Sequence, residues 1–152
     1  MAELRDARDT DSAGVIALIA GVFAEYPGCV LDVDLEEPEL RAPATHYDRF
    51  WVLEQDGEIV GCSACSLSGH VVEMKKIYVD RRLRGQGWGR RLVERVEQEA
   101  RETGAQRIEA WSDTRFETAH AVYRRLGYRQ GEQTRFLHDL SRTEEYFFDK
   151  TV

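Results

Sequence analysis

Along the chain, apolar residues fall first into a helical rhythm, then into strand alternation, then back into a helical rhythm. Val15, Leu18, Ile19, Val22 and Phe23 recur at three- and four-residue spacing behind the cap candidates Asp9, Thr10, Asp11 and Ser12. This predicts a helix that stops at Pro27-Gly28, with a short strand over residues 3–8 before it. Residues 28–47 have no period and are acidic, with Asp32, Asp34, Glu36, Glu37 and Glu39 close together, so they are expected to be irregular. Strands are predicted over 50–53 and 58–67, joined by the hairpin signal Gln55-Asp56-Gly57, and over 71–79 after Gly69.

The helical rhythm returns with Leu92, Val93, Val96 and Ala100, and Gly104 stands at the expected stop. Residues 107–111 alternate as a strand. A further helix carries Ala119, Val122, Tyr123 and Leu126 and closes at Gly127. The tail, 128–152, reads as two more strands around an irregular stretch, with Tyr146-Phe147-Phe148 as its last apolar run. At 152 residues the chain is expected to be one α+β domain over 1–152: an antiparallel meander, then a strand–helix–strand crossover.

Composition narrows the class. Apolar residues make up 42% and charged residues 32%, the balance of a soluble globular chain. No window nears 18 apolar residues, and the charged start Met1-Ala2-Glu3-Leu4-Arg5-Asp6 lacks the stretch of a signal peptide. A cytoplasmic protein without a membrane partner is expected. Cys29, Cys62 and Cys65 are an odd number, which suits a reducing compartment. Cys62-Ser63-Ala64-Cys65 spells C-x-x-C inside a predicted strand, where residues three apart face opposite ways, and no second pair completes a metal site. His46, His70, His120 and His138 are scattered, so no metal is expected. Histidine as a residue type titrates near neutrality, which suits proton transfer, yet His70 and His120 both read as surface or turn residues. Ser112-Asp113 lacks the nucleophile-elbow pattern of a hydrolase.

Charge is unevenly spread. Residues 75–91 hold seven basic side chains against Asp80, a local +6, which leaves −13 on the rest of a chain of net −7. An acidic body argues against nucleic acid as a partner. A compact basic patch suits one small polyanion, and the acidic remainder suits a cationic second substrate. A solvated helix start explains the same patch.

The basic stretch contains the turn Arg84-Gly85-Gln86-Gly87-Trp88-Gly89, between a predicted strand and a predicted helix. Glycines there expose successive N–H groups at a helix N-terminus, a cradle for phosphate. A dinucleotide fingerprint would need glycine where Arg90 stands, and the Gly-Lys-Ser/Thr of a P-loop is absent. Gly89 in a first helical turn costs about 1 kcal/mol relative to alanine, which calls for a reason.

This turn matches Q/R-x-x-G-x-G/A and resembles the coenzyme A signature of the GNAT superfamily of N-acetyltransferases. Glu73-Met74-Lys75-Lys76-Ile77-Tyr78-Val79 is similar to that family's fourth strand, and the segment from Ala119 to Tyr128 to its A-x-x-x-Y-x-x-x-G-F/Y helix. The resemblance covers about residues 50–130. It implies a GNAT-like fold: a central mixed, mostly antiparallel sheet of about seven strands flanked by about four helices. It also implies acetyl-CoA as acyl donor, with no metal, and direct acetyl transfer to a primary amine on a small molecule or protein. Homodimers are frequent in the superfamily, which makes one an expectation here.

Residue by residue, the resemblance implies that backbone N–H groups of Arg84, Gly85, Gln86, Gly87, Trp88 and Gly89 hold the pyrophosphate, with Arg84 and Arg90 adding side-chain contacts. The backbone of Ile77, Tyr78 and Val79 would pair with the pantetheine arm and stabilise the thioester oxygen. Ala119 would line the same groove. Tyr123 would protonate the departing thiolate, although its helical spacing also fits a core tyrosine. Glu73 would be the base, and alternation puts it on one face with Ile77 and Val79 unless the Lys75-Lys76 doublet marks a bulge. A surface glutamate paired with Lys75 explains it equally.

Two features depart from the family. Phe116 stands where many members have asparagine, with Asp113-Thr114-Arg115 as a substitute polar contact. On the acceptor side, Glu25, Tyr26, Asp32, Asp34, Glu36 and Glu37 suit a pocket for a cationic amine or a solvated loop. A non-catalytic acyl-CoA-binding sensor would show the same glycine turn, and Tyr123 favours the enzyme.

Overall fold

The computed structural model describes all of residues 1–152. Seven strands form one sheet: β1 (Glu3–Asp6), β2 (Arg49–Gln55), β3 (Glu58–Ser68), β4 (Val71–Val79), β5 (Arg107–Asp113), β6 (Arg129–Phe136) and β7 (Glu144–Thr151). They lie in the order β1-β2-β3-β4-β5-β7-β6. Only β4 and β5 run parallel, and every other neighbouring pair is antiparallel. A parallel pair needs a crossover, which the long helix α4 (Trp88–Glu102) supplies. The other helices are α1 (Ser12–Phe23), α2 (Val33–Glu36), α3 (Pro43–His46) and α5 (Glu117–Arg125). The sheet and crossover agree with the sequence reading.

Each face of the sheet buries a separate core. On one, Val15, Ile19 and Val22 of α1 pack against Val52, Cys62 and Ala64. On the other, Val93 and Val96 of α4 and Tyr123 of α5 pack against Trp51, Met74, Ile108 and Phe148. Cys62 and Cys65 therefore sit on opposite faces, and burial pushes both thiols up to about 12. The C-x-x-C spelling is two core positions.

Three boundaries differ from the sequence reading. β1 ends at Asp6, because Asp11 turns the chain by accepting the Arg8 N–H at 2.8 Å while its carboxylate holds Arg5. β5 continues to Asp113 beside β7. Residues 28–47 are not wholly irregular. Asp32 caps α2 by accepting from Leu35 N at 2.9 Å, and Pro38 and Pro43 open the next two helical turns. No helix is long and apolar enough to cross a membrane.

Candidate active site

The site begins where the sheet comes apart. β4 and β5 pair only from Val71 to Met74 against Arg107 to Ala110. Beyond that, Trp111, Ser112 and Asp113 pair with β7, and β4 pairs with β3 alone. The β4 edge at Ile77, Tyr78 and Val79 is left without a ladder on the β5 side. A bulge drives the divergence: Cys62 faces Tyr78 and Ala64 faces Lys75, so two residues of β4 oppose one of β3. Lys76 takes φ 55, a left-handed conformation that costs a non-glycine residue about 1–2 kcal/mol. Two contacts hold it there. Its carbonyl accepts the Cys62 thiol at 3.1 Å, and its ammonium pairs with Glu37.

The bulge reverses the simple alternation. Tyr78 and Lys75, and with them Glu73, lie on the α1 face, whereas Ile77 packs toward α4. Glu73 lines neither cavity described below. Its side chain is 39% exposed and pairs with Lys75 at 3.4 Å, the surface arrangement allowed for from sequence.

The glycine turn closes one end of the opening. Gly85 at φ 77 and Gly87 at φ 83 occupy the left-handed region, where a Cβ would be strained although nothing lies within 4 Å of it. Gly87 caps α4, and the first N–H to bond back into the helix is that of Arg91, to Gly87 O at 3.1 Å. The N–H groups of Trp88, Gly89 and Arg90 precede it without an intrahelical acceptor. Gly89 is helical, and a Cβ on it would meet Val122 Cγ2 at an ordinary 3.7 Å. The side chains do less than the sequence suggested. Arg84 is spent on Glu25 and on the Val79 carbonyl (3.1 and 3.2 Å), Gln86 points away to Arg82 O, and Arg90 pairs with Glu94 at 3.4 Å.

Two cavities flank this edge. A groove of about 700 Å³ runs between the β4 edge, the glycine turn and α5, lined by Ile77, Tyr78, Val79, Arg84, Gly85, Gly87, Trp88, Gly89, Arg90, Ala119 and Tyr123 among others. Of the expected donor-side residues, only Gln86 falls outside it. A second cavity of about 470 Å³ opens on the other side of β4. Ile77, Tyr78, Phe116, Ala119 and Tyr123 line both, so these five mark the junction. Tyr123 is 4% exposed, and burial alone raises its hydroxyl well above the usual phenol range. Phe116 packs against Phe23, Tyr26 and Tyr78 at ring distances of 5.1 to 6.1 Å, so an aromatic cluster stands where the family often has an amide.

The second cavity is walled by Phe23, Val30, Leu35, Trp111 and Leu137 and carries five carboxylates, Glu36, Glu37, Asp113, Asp139 and Glu145, against Lys75 and Lys76. Of the acceptor residues expected from sequence, Glu36 and Glu37 reach it. Glu25 binds Arg84, Tyr26 lines the groove, Asp32 caps α2 and Asp34 pairs with Arg41.

His120 corrects the sequence reading. It is 2% exposed, its Nε2 lies 3.0 Å from Ser112 Oγ, and its ring packs on Tyr146 and Phe148. The signal was its spacing of three from Tyr123, which puts both on the inward side of α5. Ser112 lines the second cavity.

A parted parallel pair facing a glycine-capped crossover helix defines the N-acetyltransferase class of fold. The sequence model of the Acetyltransferase (GNAT) family matches residues 17–128, and the chain belongs to that family. It is similar to an IAA acetyltransferase of Azospirillum brasilense, at 37% identity over 82 residues, 53% of this chain and 54% of that one. The match thus spans about half the length of that relative. An aminoalkylphosphonate N-acetyltransferase of Salmonella typhimurium is 30% identical over 134 residues, 84% of this chain and 85% of that one. Among solved structures, yncA from Salmonella typhimurium, determined with its cofactor acetyl-CoA, aligns at a TM-score of 0.73. At 19% identity, over 99% of this chain and 94% of that one, that likeness is one of fold.

Proposed function

We propose that this chain, as a single domain, is an acetyl-CoA-dependent N-acetyltransferase that passes the acetyl group directly to a primary amine. The observation that carries the reading is Tyr123, a buried phenol at the junction of the two cavities. The groove supports the donor: its unladdered β4 edge suits the pantetheine amides as an added strand. The free N–H groups at the start of α4 suit the pyrophosphate. Backbone N–H groups at Ile77 to Val79 then serve the thioester oxygen as charge develops on it. Tyr123 holds its proton at neutral pH, because burial disfavours the phenolate, and is the proton-bearing group placed at this junction for the departing CoA thiolate. Holding donor and acceptor side by side removes much of the entropic barrier.

The second cavity supports an acceptor that brings positive charge: Glu37, Asp113 and Glu145 are paired with Lys76, Arg115 and Arg135, while Glu36 and Asp139 have no cationic partner. The amine in the name of the aminoalkylphosphonate relative fits this lining, and its phosphonate does not. The test is thiol release from acetyl-CoA across alkylamines, diamines, polyamines, amino acids, aminophosphonates and lysine peptides. Saturable release with cationic amines and none with aminophosphonates is expected. Silence throughout, with acetyl-CoA still raising the unfolding temperature, would leave a non-catalytic acyl-CoA binder. Silence without that protection would remove the coenzyme A reading.

A further inference from the structure

An ammonium ion cannot attack a thioester until it loses a proton, and Glu73 lines neither cavity. The only histidine buried in the fold lies behind the acceptor cavity wall. Ser112 forms part of that wall, is itself 7% exposed, and keeps its hydroxyl 3.0 Å from His120 Nε2. In the tautomer with its N–H on Nδ1, a neutral ring presents the Nε2 lone pair to the serine. This is a base with a hydroxyl between it and the cavity, on the same wall as Tyr123.

We propose that Ser112 and His120 form a proton relay that deprotonates the acceptor amine. The inference rests on the transferase reading above. The ammonium gives a proton to Ser112 Oγ while the serine proton passes to His120 Nε2. The amine lone pair forms the C–N bond and the C–S bond breaks. Tyr123 gives its proton to sulfur, the second nitrogen proton, shed as the amide forms, returns to the Tyr123 oxygen through solvent, and His120 then releases its proton to solvent back through Ser112, so one proton is liberated per turnover. Ser112 touches the substrate, and His120 acts through it as a positioning and proton-holding group.

The surroundings suit the task. Burial lowers the affinity of His120 for a proton, and Arg124 on α5 adds to this, while Asp113 and Glu117 oppose it. Tyr123 on α5 and Tyr146 on β7 are the other titratable side chains packed against the ring. The imidazole is therefore neutral at pH 7 and ready to accept.

The test is the pH dependence of kcat/KM for 1,4-diaminobutane, or for the amine of the panel with the fastest release, in the intact protein, His120→Asn and Ser112→Ala. Ser112→Ala removes one oxygen from a wall, so the fold survives in at least that variant. The intact protein should lose activity toward acid with an inflection below 6.5. Both variants should lose that inflection, rise in proportion to hydroxide toward the ionisation of the amine, and fall on the order of 10²-fold at neutral pH. Their stabilisation by acetyl-CoA should not change. Retention of the wild-type acid limb in Ser112→Ala overturns the relay and leaves the transferase reading standing. Absence of thiol release in the intact protein with every amine overturns both.

Discussion

At Tyr123 the protein buries a phenol with no ionic neighbour to stabilise its phenolate, at the junction of the two cavities. Removing only the oxygen separates chemistry from packing, because the ring still fills its core position among Tyr128, Phe148 and His120. Tyr123→Phe should therefore unfold at nearly the wild-type temperature and bind acetyl-CoA unchanged, while kcat falls by about 10²-fold or more. Full turnover at every pH would take Tyr123 out of the mechanism. Its inward direction was legible in the helix repeat, whereas its role was implied only by the family resemblance. His120, three positions away, carried the same geometric signal, but nothing in one sequence brings Ser112 beside it. For Glu73 the sequence left two placements open, and the bulge that the doublet Lys75-Lys76 suggested is the one that takes it off the Ile77 face.

At the scale of elements, the glycine turn does two separable jobs. Gly85 and Gly87 serve the backbone, since both adopt positive φ with open space around them. Gly89 serves neither φ nor close packing in the empty protein, because a Cβ there meets Val122 at van der Waals distance. Its missing methyl keeps the groove wide beside the free N–H groups of α4. Gly87→Ala should then destabilise by about 1–2 kcal/mol through left-handed strain. Gly89→Ala should stabilise the free protein by about 0.4–1 kcal/mol through lost chain entropy. It should also weaken acetyl-CoA about tenfold, or about 1.4 kcal/mol. Thermal unfolding with and without acetyl-CoA reads both effects; a Gly89→Ala protein with an undiminished ligand-induced shift would show that the groove does not need the space. The motif spelling revealed the turn, and the strand and helix rhythms flanking it were correct to within a few residues. The segment 28–47 was not readable as helical turns, because Asp32, Pro38 and Pro43 cap pieces too short to show a period.

Over the whole molecule, the sequence placed +6 around the glycine turn and −13 elsewhere, which reads as a basic patch awaiting a polyanion. The folded chain spends most of that charge internally. Lys75, Lys76, Arg82, Arg84 and Arg90 each meet a carboxylate, and Arg91 lies over the Trp88 ring at 4.5 Å. A donor held in this groove would thus rely on backbone N–H groups, whose dipoles act only within about one turn of the helix end. The second cavity keeps two carboxylates without a cationic partner, Glu36 and Asp139, whose field would reach an approaching cation over a Debye length. These two origins predict different salt responses. Raising ionic strength from about 0.01 M to about 1 M shortens the Debye length from about 30 Å to about 3 Å. Across that range, kcat/KM for a cationic amine should fall steeply, while KM for acetyl-CoA changes little. The reverse order, a shallow amine response with a steep acetyl-CoA response, would mean that the arginines leave their carboxylate partners when the donor binds. It would also mean that the acidic lining of the second cavity does not steer the acceptor.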